Sequence, residues 1–494
     1  MSYNKVTYPD LDTRGENVDG FKNKMPEHSG AKDVIWAFLF IIHLIVILGL
    51  AVYGFRSMNN ALDDQTMSSD NPLSDTSIPW KNVARIGLVI AVCVAAGACC
   101  ATFWLFLMRK FPKQLIIGTM IVQAVLWIAM AVYMLYLGAI LGGIIGLAGA
   151  ICTMVMWWFW RHRIPFAAAI LGTVASVTKQ FPGTILVPFL CLFTTAGWSI
   201  LWGYTSATSY YYASSGALGY VLYVFFLLSL YWTVEVIRNT GHTTVSGTFA
   251  TWYFMGGDNA NLPKNPTLKS GKRALTTSFG SICLGSFIVA AIQTVRAILR
   301  SLARQRSDNV AVQIIACLVD CILGCIEGLV RMFNKYAYVQ VAIYGKSFCQ
   351  AAKDTWRLAQ SHGIDAIINE SFIGPTLTIG ALIGAIICFL VGAAAGAAIV
   401  ATDPVPAGET DYTWVLFGLL GAIIGYIMML QTMLVVDSGV ATIFVCYAMD
   451  RSALHRNDPA LGQMFDEAYN GKSAKKQRDE FQQKQNSHGN TFNI

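Results

Sequence analysis

Ten long apolar runs constrain what this chain can fold into more than any other feature of its sequence. A helix of about twenty residues spans a hydrocarbon core about 30 Å thick, and only a helix satisfies its own backbone hydrogen bonds there. The ten-residue alternation of a membrane barrel is missing. We therefore predict an all-α, polytopic integral membrane protein with about ten transmembrane helices, at 34–55, 84–108, 114–136, 137–160, 184–204, 218–238, 275–298, 309–332, 373–399 and 414–434.

Composition agrees with lipid as the surrounding solvent. Of the 494 residues, 55% are hydrophobic and only 13% are charged, which argues against a water-facing surface. The formal net charge of +7 is modest for this length, so no nucleic-acid partner is predicted. Residues 1–33 are polar and show no pattern of a cleavable signal peptide.

Basic residues in two short connections set the predicted orientation. Lys and Arg are enriched in cytosolic loops. They follow the second and fourth apolar runs, at Arg109, Lys110, Lys113, Arg161 and Arg163. The connections 205–217 and 401–413 contain no Lys or Arg and suit the outer face. Ten crossings then place both tails in the cytosol.

This orientation divides the chain into three parts. A cytosolic N-terminal tail, 1–33, precedes a transmembrane domain, 34–448, and a cytosolic C-terminal tail, 449–494, follows it. Within the transmembrane domain, 334–372 mixes basic with apolar residues, which predicts amphipathic helices along the cytosolic face.

One part of this scheme has an alternative. The connection 299–308 lies outside although it carries Arg300, Arg304 and Arg306. In the alternative topology, 242–256 crosses the membrane and 309–332 is re-entrant. That removes the conflict, but it places Lys264, Lys269, Lys272 and Arg273 on the outer face. We keep the simpler assignment, in which long arginine side chains reach the interface.

Three carboxylates lie inside predicted helices: Glu235, Asp320 and Glu327. A carboxylate at the bilayer centre costs about 3 kcal/mol on insertion scales, so each needs a partner or a water-filled cavity. One interpretation gives them a role in proton coupling or in neutralising a charged substrate. The alternative is structural, with pairing to Arg238 and Arg331 or contact with interfacial water.

Aromatic residues flank the first of these carboxylates. Tyr231 and Trp232 precede Glu235, and Trp252 and Tyr253 follow a polar, glycine-containing stretch that favours a broken helix. Broken helices are typical of transporter sites, and the faces of Trp and Tyr attract quaternary ammonium ions. We predict that these five residues bind an organic cation. Alternatively, the aromatic residues are interfacial anchors.

Several other patterns favour helix packing over chemistry. His43, inside the first run, is predicted to bond a neighbouring helix rather than to relay protons. Small residues four apart predict close helix contacts, at Gly138, Gly142 and Gly146, at Gly380 and Gly384, and at Gly392 and Gly396.

The cysteines and the catalytic motifs indicate neither a metal site nor an enzyme. The twelve cysteines fall mostly in apolar runs, where they act as small hydrophobic residues. Cys317, Cys321 and Cys325 share a helix face, but without a nearby His they favour packing over metal binding. No nucleotide-binding loop, zinc-protease helix or nucleophile elbow occurs. We predict no enzymatic activity, no catalytic residue, no metal and no cofactor.

Several segments resemble the choline transporter-like family. The two most distinctive are RMFNKYAYVQVAIYGKSFC, Arg331–Cys349, and VVDSGVATIFVCYAMD, Val435–Asp450. Further similarity lies in Thr276–Ser286, Thr243–Phe254 and Arg163–Val177, so the resemblance extends over most of the chain. The sequence at Asn334–Tyr338 and the SGVA at Ser438–Ala441 are similar to the fungal, plant and protist branch rather than to the animal one.

The resemblance implies a membrane transporter for a small organic cation such as choline or ethanolamine, in exchange for protons in some members. Its partners would be that cation, membrane lipids and protons. The implied location is the plasma membrane, with a vacuolar or lysosomal membrane as the alternative. Two other functions stay open at this point: a membrane scaffold or lipid-organising protein with the same fold, and an ion channel, although no filter motif supports the latter.

Overall fold

The computed structural model describes residues 30–68, 80–161, 164–212, 217–255, 263–305, 310–402 and 413–465. Within these ranges the chain forms helices and no strand. The helices are α1 (Val34–Ser68), α2 (Trp80–Lys110), α3 (Pro112–Tyr136), α4 (Ile140–Trp160), α5 (Ile164–Gln180), α6 (Gly183–Tyr212), α7 (Ala217–Met255), α8 (Pro266–Leu275), α9 (Phe279–Gln305), α10 (Val310–Tyr344), α11 (Phe348–Thr402), α12 (Thr413–Met449), α13 (Arg451–Asn457) and α14 (459–465).

Nine of these helices contain a segment long and apolar enough to cross a bilayer, counted over the described residues: α1, α2, α3, α4, α6, α7, α9, α11 and α12. Each coincides with one of the ten predicted runs. The remaining run, 309–332, lies in α10, which carries several charged side chains between Asp320 and Lys335. The prediction of an all-α, polytopic membrane protein is confirmed.

The buried core is concentrated at one end of the bundle. It joins α2, α3, α5, α7, α10, α11 and α12 with the two short C-terminal helices. Elsewhere many large apolar side chains of single helices are exposed, such as Tyr136 on α3 and Leu141 on α4. In lipid these side chains have an apolar solvent, so their exposure carries no hydrophobic penalty.

Helix α5 was not predicted. Its residues were assigned to a cytosolic connection between the fourth and fifth crossings, yet Ile170, Leu171 and Val174 are fully buried. At 17 residues the helix falls short of the about twenty needed to span a bilayer, so a search for spans passes over it. Its apolar side chains are satisfied by the core instead.

Helix α7 is continuous over 39 residues, so the predicted break between the two aromatic pairs is wrong. The polar residues of this stretch find partners within the helix, because the hydroxyls of Thr240, Thr244 and Thr248 donate to carbonyls four residues earlier. Gly241 and Gly247 let α7 approach α6 and α8 closely. A Cβ at Gly241 would lie 2.8 Å from Cys191 Sγ, and one at Gly247 would meet Ser270 Oγ.

The structure divides 334–372 differently from the sequence interpretation. Helix α10 continues through Tyr344, and Ala337, Val339 and Val341 are fully buried within the bundle. A short connection at Gly345, with φ +60°, leads directly into α11, which runs for 55 residues. The cytosolic placement of this segment stays a prediction.

Parts of both predicted tails pack against the helix bundle. Lys32 and Asp33 hydrogen-bond to the α8–α9 turn and to α9 and α11, and α13 and α14 pack on the core, with Phe465 fully buried. Most of the predicted tails, 1–29 and 466–494, lies outside the described residues.

Most of the predicted glycine contacts are confirmed. A Cβ at Gly392 would meet the Phe417 carbonyl, and one at Gly384 would meet Met429, which lets α11 and α12 approach closely. Gly146 contacts Ala131 in the same way between α4 and α3. Gly138 differs, because it forms the α3–α4 turn with φ +77°.

Candidate functional site

A charged cavity of about 410 Å³ lies between α6, α7, α10 and α12. This volume falls within the range of small-molecule pockets. The cavity lies next to the buried core, and its walls carry five charged side chains and one histidine: Glu235, Arg238, His242, Arg331, Lys335 and Asp437. Such a density of charge inside an apolar bundle marks it as the candidate functional site.

Two helices supply most of these side chains through one helical stripe each. On α7, Glu235, Arg238 and His242 follow one another at spacings of three and four residues, and on α10 Arg331 and Lys335 are four apart. Residues at these spacings lie on the same face of a helix. Both stripes therefore face the cavity while the opposite faces pack.

Lys335 and Asp437 form an ion pair across the cavity. Lys335 Nζ lies 2.9 Å from Asp437 Oδ1, and the Asp437 side chain keeps 33% of its surface exposed. His242 lies beside this pair, with Nε2 2.9 Å from the Lys335 carbonyl and Nδ1 2.8 Å from Ser438 Oγ. Because a carbonyl only accepts, Nε2–H donates, and Nδ1 of a neutral ring accepts from the serine.

Arg331 joins the cavity to a ladder of alternating charges. Its Nη1 lies 2.6 Å from Glu235 Oε1, and its Nε donates to Glu327 at 2.9 Å. Glu327 also pairs with Arg296, which bonds Asp320 at 3.1 Å. All three predicted intramembrane carboxylates thus belong to one network of ion pairs. Arg300, which pairs with Asp320, is the last member of this network.

The ion pairs include part of the pairing that the structural interpretation predicts, and the role of the three carboxylates stays a prediction. Arg331 binds both Glu235 and Glu327, as that interpretation predicts, whereas Arg296 and Arg300 bind Asp320. Arg300 lies in 299–308, the connection whose arginines conflict with its predicted position on the outer face. Its ion pair with Asp320 gives a physical reason for an arginine at this position. A paired charge is far less costly to bury than a single one.

Arg238 differs from the other cavity cations. It is exposed to the cavity, and among the described residues it makes no ion pair. Glu235, one turn earlier, is instead held by Arg331 and lies 3.5 Å from the Asn239 amide. The cavity therefore contains one cation without a partner among the described carboxylates.

The five predicted binding residues lie in different parts of the structure. Glu235 lines the cavity, but Trp232 does not: its Nε1 donates to the Cys283 carbonyl at 3.0 Å, and its ring stacks on His43 at 5.2 Å. Tyr231 packs in the same aromatic cluster. The described lining contains no Phe, Tyr or Trp.

Trp252 and Tyr253 lie in another part of the molecule. Seventeen residues of continuous helix separate Glu235 from Trp252, or about 26 Å at 1.5 Å per residue. Tyr253 is fully buried in the core and donates to the Asp450 carbonyl at 2.8 Å. A single pocket formed by all five residues is therefore not what the structure contains.

His43 follows the packing interpretation. Its Nε2 lies 2.9 Å from Ser229 Oγ on α7, and its Nδ1 lies 3.0 Å from the Phe40 carbonyl. The ring is buried between aromatic side chains. The described part of the chain holds no group of three His, Cys, Asp or Glu suited to a metal ion.

Sequence reasoning missed the cavity roles of His242, Lys335 and Asp437. Lys335 and Asp437 both lie in the segments that carry the family resemblance, but hydropathy placed them just beyond the ends of predicted crossings. Helical spacing offered one usable signal, because Arg331 and Lys335 extend the stripe that already contains Glu327.

Comparison with known proteins identifies the family. Residues 144–452 match the family model described as plasma-membrane choline transporter. The chain belongs to the choline transporter-like family. The matched region includes every residue of the charged cavity.

Choline transporter-like relatives are similar over much of this chain. A CTL-like protein of Dictyostelium discoideum is 36% identical over 74% of this chain and 63% of its own length. Protein PNS1 of Gibberella zeae is 32% identical over 91% and 84%, and protein PNS1 of Candida albicans is 34% identical over 90% and 87%. The chain thus spans less than two thirds of the Dictyostelium relative and most of the fungal ones.

Proposed function

We propose that this protein transports a small organic cation such as choline or ethanolamine across the plasma membrane, in exchange for protons, with the charged cavity as the substrate site. The observation that carries the proposal is Asp437, a partly exposed carboxylate that faces the cavity and is neutralised by the flexible side chain of Lys335. Membership of the choline transporter-like family supports the substrate class.

The proposed binding step exchanges one cation for another. The ammonium of Lys335 is a point charge on a flexible stem, so it can leave Asp437 when a substrate ammonium takes its place. The carboxylate then stays neutralised throughout, while the displaced ammonium of Lys335 must be solvated by water in the cavity. Glu235 lies on the same cavity but is held by Arg331, whose guanidinium forms a more rigid pair.

Proton exchange would draw on the other cavity groups. His242 has a ring nitrogen that can take up and release a proton, and it contacts the backbone of Lys335 and the side chain of Ser438. Displacement of Lys335 would alter the charge next to this ring. Substrate binding and protonation of His242 would then be coupled through Lys335.

The lining also bears on which cation is preferred. Without a Phe, Tyr or Trp in the described lining, cation–π attraction to a quaternary ammonium contributes little, and recognition rests on carboxylate and hydroxyl oxygens. Ethanolamine has N–H donors for these oxygens and choline has none on its nitrogen. We therefore expect ethanolamine to bind at least as well as choline.

The test is uptake of labelled choline and ethanolamine into proteoliposomes, with and without a pH gradient. Asp437→Asn should lower uptake by about tenfold or more, since it removes the charge that the substrate neutralises. Asp354→Asn is the matched control, because it makes the same change in an ion pair with Lys346 that lies outside the cavity. The double variant Lys335→Gln/Asp437→Asn restores charge balance and should fold normally while staying inactive.

Two results would contradict the proposal. Full uptake by the folded double variant would remove Asp437 from substrate binding. Uptake by the parent protein no faster than in protein-free liposomes, for both cations, would favour the scaffold function instead.

A further inference from the structure

A second, larger cavity opens on the side of the bundle, between α1, α6, α7 and α8. We call it the lateral groove; its volume is about 1570 Å³. Leu44 and Leu48 line it from α1, and Leu186, Leu190 and Leu201 line it from α6. Its lining on α6 runs from residue 183 to 201, about 27 Å along the helix, which is close to the thickness of bilayer hydrocarbon. The lateral groove therefore has the length and polarity of a site for an acyl chain.

One end of the lateral groove is basic. Lys264 and Lys272 line this end, on either side of the first turns of α8, and the described lining contains no Asp or Glu. Neither lysine has an ion-pair partner among the described residues. An apolar channel whose positive end has no ion-pair partner among the described carboxylates is complementary to an amphipathic anion.

Helix α8 itself has the character of an interfacial helix. Pro266, Ser270 and Ala274 are buried against the bundle, while Leu268, Lys269 and Leu275 are exposed. Leucines and lysines on one exposed face are typical of helices that lie at the level of lipid headgroups. This places the basic end of the lateral groove at a headgroup layer and the leucine-lined part in hydrocarbon.

We propose that the lateral groove binds an acidic glycerophospholipid, with its phosphate at Lys264 and Lys272 and an acyl chain along α6. Charge complementarity selects an anionic lipid over a zwitterionic one, because basic side chains near a membrane surface attract anionic headgroups. The site is separate from the charged cavity and does not depend on which substrate the protein transports.

The lateral groove and the charged cavity share a thin wall. Cys191 of α6 and Gly241 of α7 line both of them, and a Cβ at Gly241 would lie 2.8 Å from Cys191 Sγ. The bound lipid therefore packs against the same helix pair that closes one side of the cavity. Its occupancy stabilises the contact between α6 and α7.

The test measures retention of spin-labelled phosphatidylserine and phosphatidylcholine by the purified full chain in mixed micelles, as the motionally restricted fraction of label. Wild type should retain phosphatidylserine more strongly. Lys264→Gln/Lys272→Gln should weaken phosphatidylserine binding by about thirtyfold, since each lysine near a membrane surface contributes roughly fivefold. Lys269→Gln is the matched control, because this lysine is exposed on α8 but does not line the lateral groove.

A second variant tests the apolar part. A Cβ at Gly197 would meet no atom within 4 Å, and Gly197 lines the lateral groove, so the side chain of Gly197→Phe has room to begin there and should occupy the acyl channel. It should lower retention of both lipids, with an unchanged molecular mass by light scattering.

Three results would overturn the proposal. Equal loss of phosphatidylserine in the Lys269→Gln control would assign the preference to diffuse surface charge. Unchanged lipid retention in Gly197→Phe would exclude the lateral groove as the site. A change from dimer to monomer in that variant would show that a second copy of the chain occupies the lateral groove.

Discussion

Arg331 is the residue that connects the charged cavity to the ladder of alternating charges. It binds Glu235 at 2.6 Å and Glu327 at 2.9 Å, so one guanidinium neutralises carboxylates on two helices. Removing one partner of a buried ion pair is far more destabilising than replacing the whole pair. These arginines and carboxylates therefore hold α7, α9 and α10 in one arrangement, and the pair of Lys335 and Asp437 lies outside this network.

We predict that Arg238 lowers the affinity of the charged cavity for a cationic substrate. As a cavity cation without a described ion-pair partner, it repels a cationic substrate. At a separation near 8 Å and an effective dielectric constant near 40, this repulsion is about 1 kcal/mol. Arg238→Gln should therefore raise the affinity for ethanolamine by roughly fivefold in a binding titration, and Arg238→Lys should leave it unchanged. Equal affinities of both variants and wild type would place the substrate away from α7.

At the scale of elements, the first residues before α1 join three helix ends. Asp33 Oδ2 accepts from Ser281 Oγ of α9 at 2.6 Å and from the backbone N–H of Phe348, the first residue of α11, at 2.7 Å. Lys32 N donates to the Thr277 carbonyl at 3.2 Å in the turn before α9. A carboxylate at the N-terminus of a helix satisfies an orphan donor and favours the helix dipole.

We expect Asp33→Ala to lower the free energy of unfolding by about 3 kcal/mol, since it removes two hydrogen bonds to a charged acceptor. Asp33→Asn keeps an acceptor oxygen, and Asn tolerates the φ of +52° found here, so this control should lose less. Thermal unfolding of both variants in detergent measures the difference. Equal melting of Asp33→Ala and wild type would mean that the connection does not stabilise the helix ends.

At the scale of the whole molecule, the C-terminal helices close the core. Phe465 is fully buried, with its ring 4.4 Å from Phe166 and 4.2 Å from Tyr447. Asp450 accepts from Ser452 N at 3.1 Å to begin α13, and Asp458 accepts from Leu461 N at 3.0 Å within the first turn of α14. The residues after α12 are thus part of the buried core.

Phe465→Ala should destabilise the protein by about 3–5 kcal/mol, the usual cost of removing a large buried aromatic side chain. Phe193→Ala provides the matched control, because Phe193 is 71% exposed on α6 and faces lipid. Its loss should lower the melting temperature far less. A similar loss in the two variants would show that α14 contributes no more than a side chain on the lipid-facing surface.

The amino-acid sequence predicts the fold class, the nine candidate membrane-spanning helices and the need of each intramembrane carboxylate for a partner, because hydropathy, backbone hydrogen bonding and charge burial act locally along the chain. Helical periodicity extends this to faces, such as the stripe containing Glu327 and Arg331. Local patterns could not detect α5, which is buried by its neighbours rather than by lipid, or the continuity of α7, whose polar residues bond within the helix.

Which side chains meet depends on how the helices pack against one another. Lys335 and Asp437 are 102 residues apart in the chain, and the packing of α10 against α12 brings them within 2.9 Å. Conversely, the predicted aromatic residues are neighbours of Glu235 in the sequence, yet the rotation and rise of α7 send Trp232 toward α9 and Trp252 about 26 Å along the helix. The physical reason is that a helix fixes the direction of each side chain, whereas the neighbouring helix that it faces is selected by packing over the whole bundle.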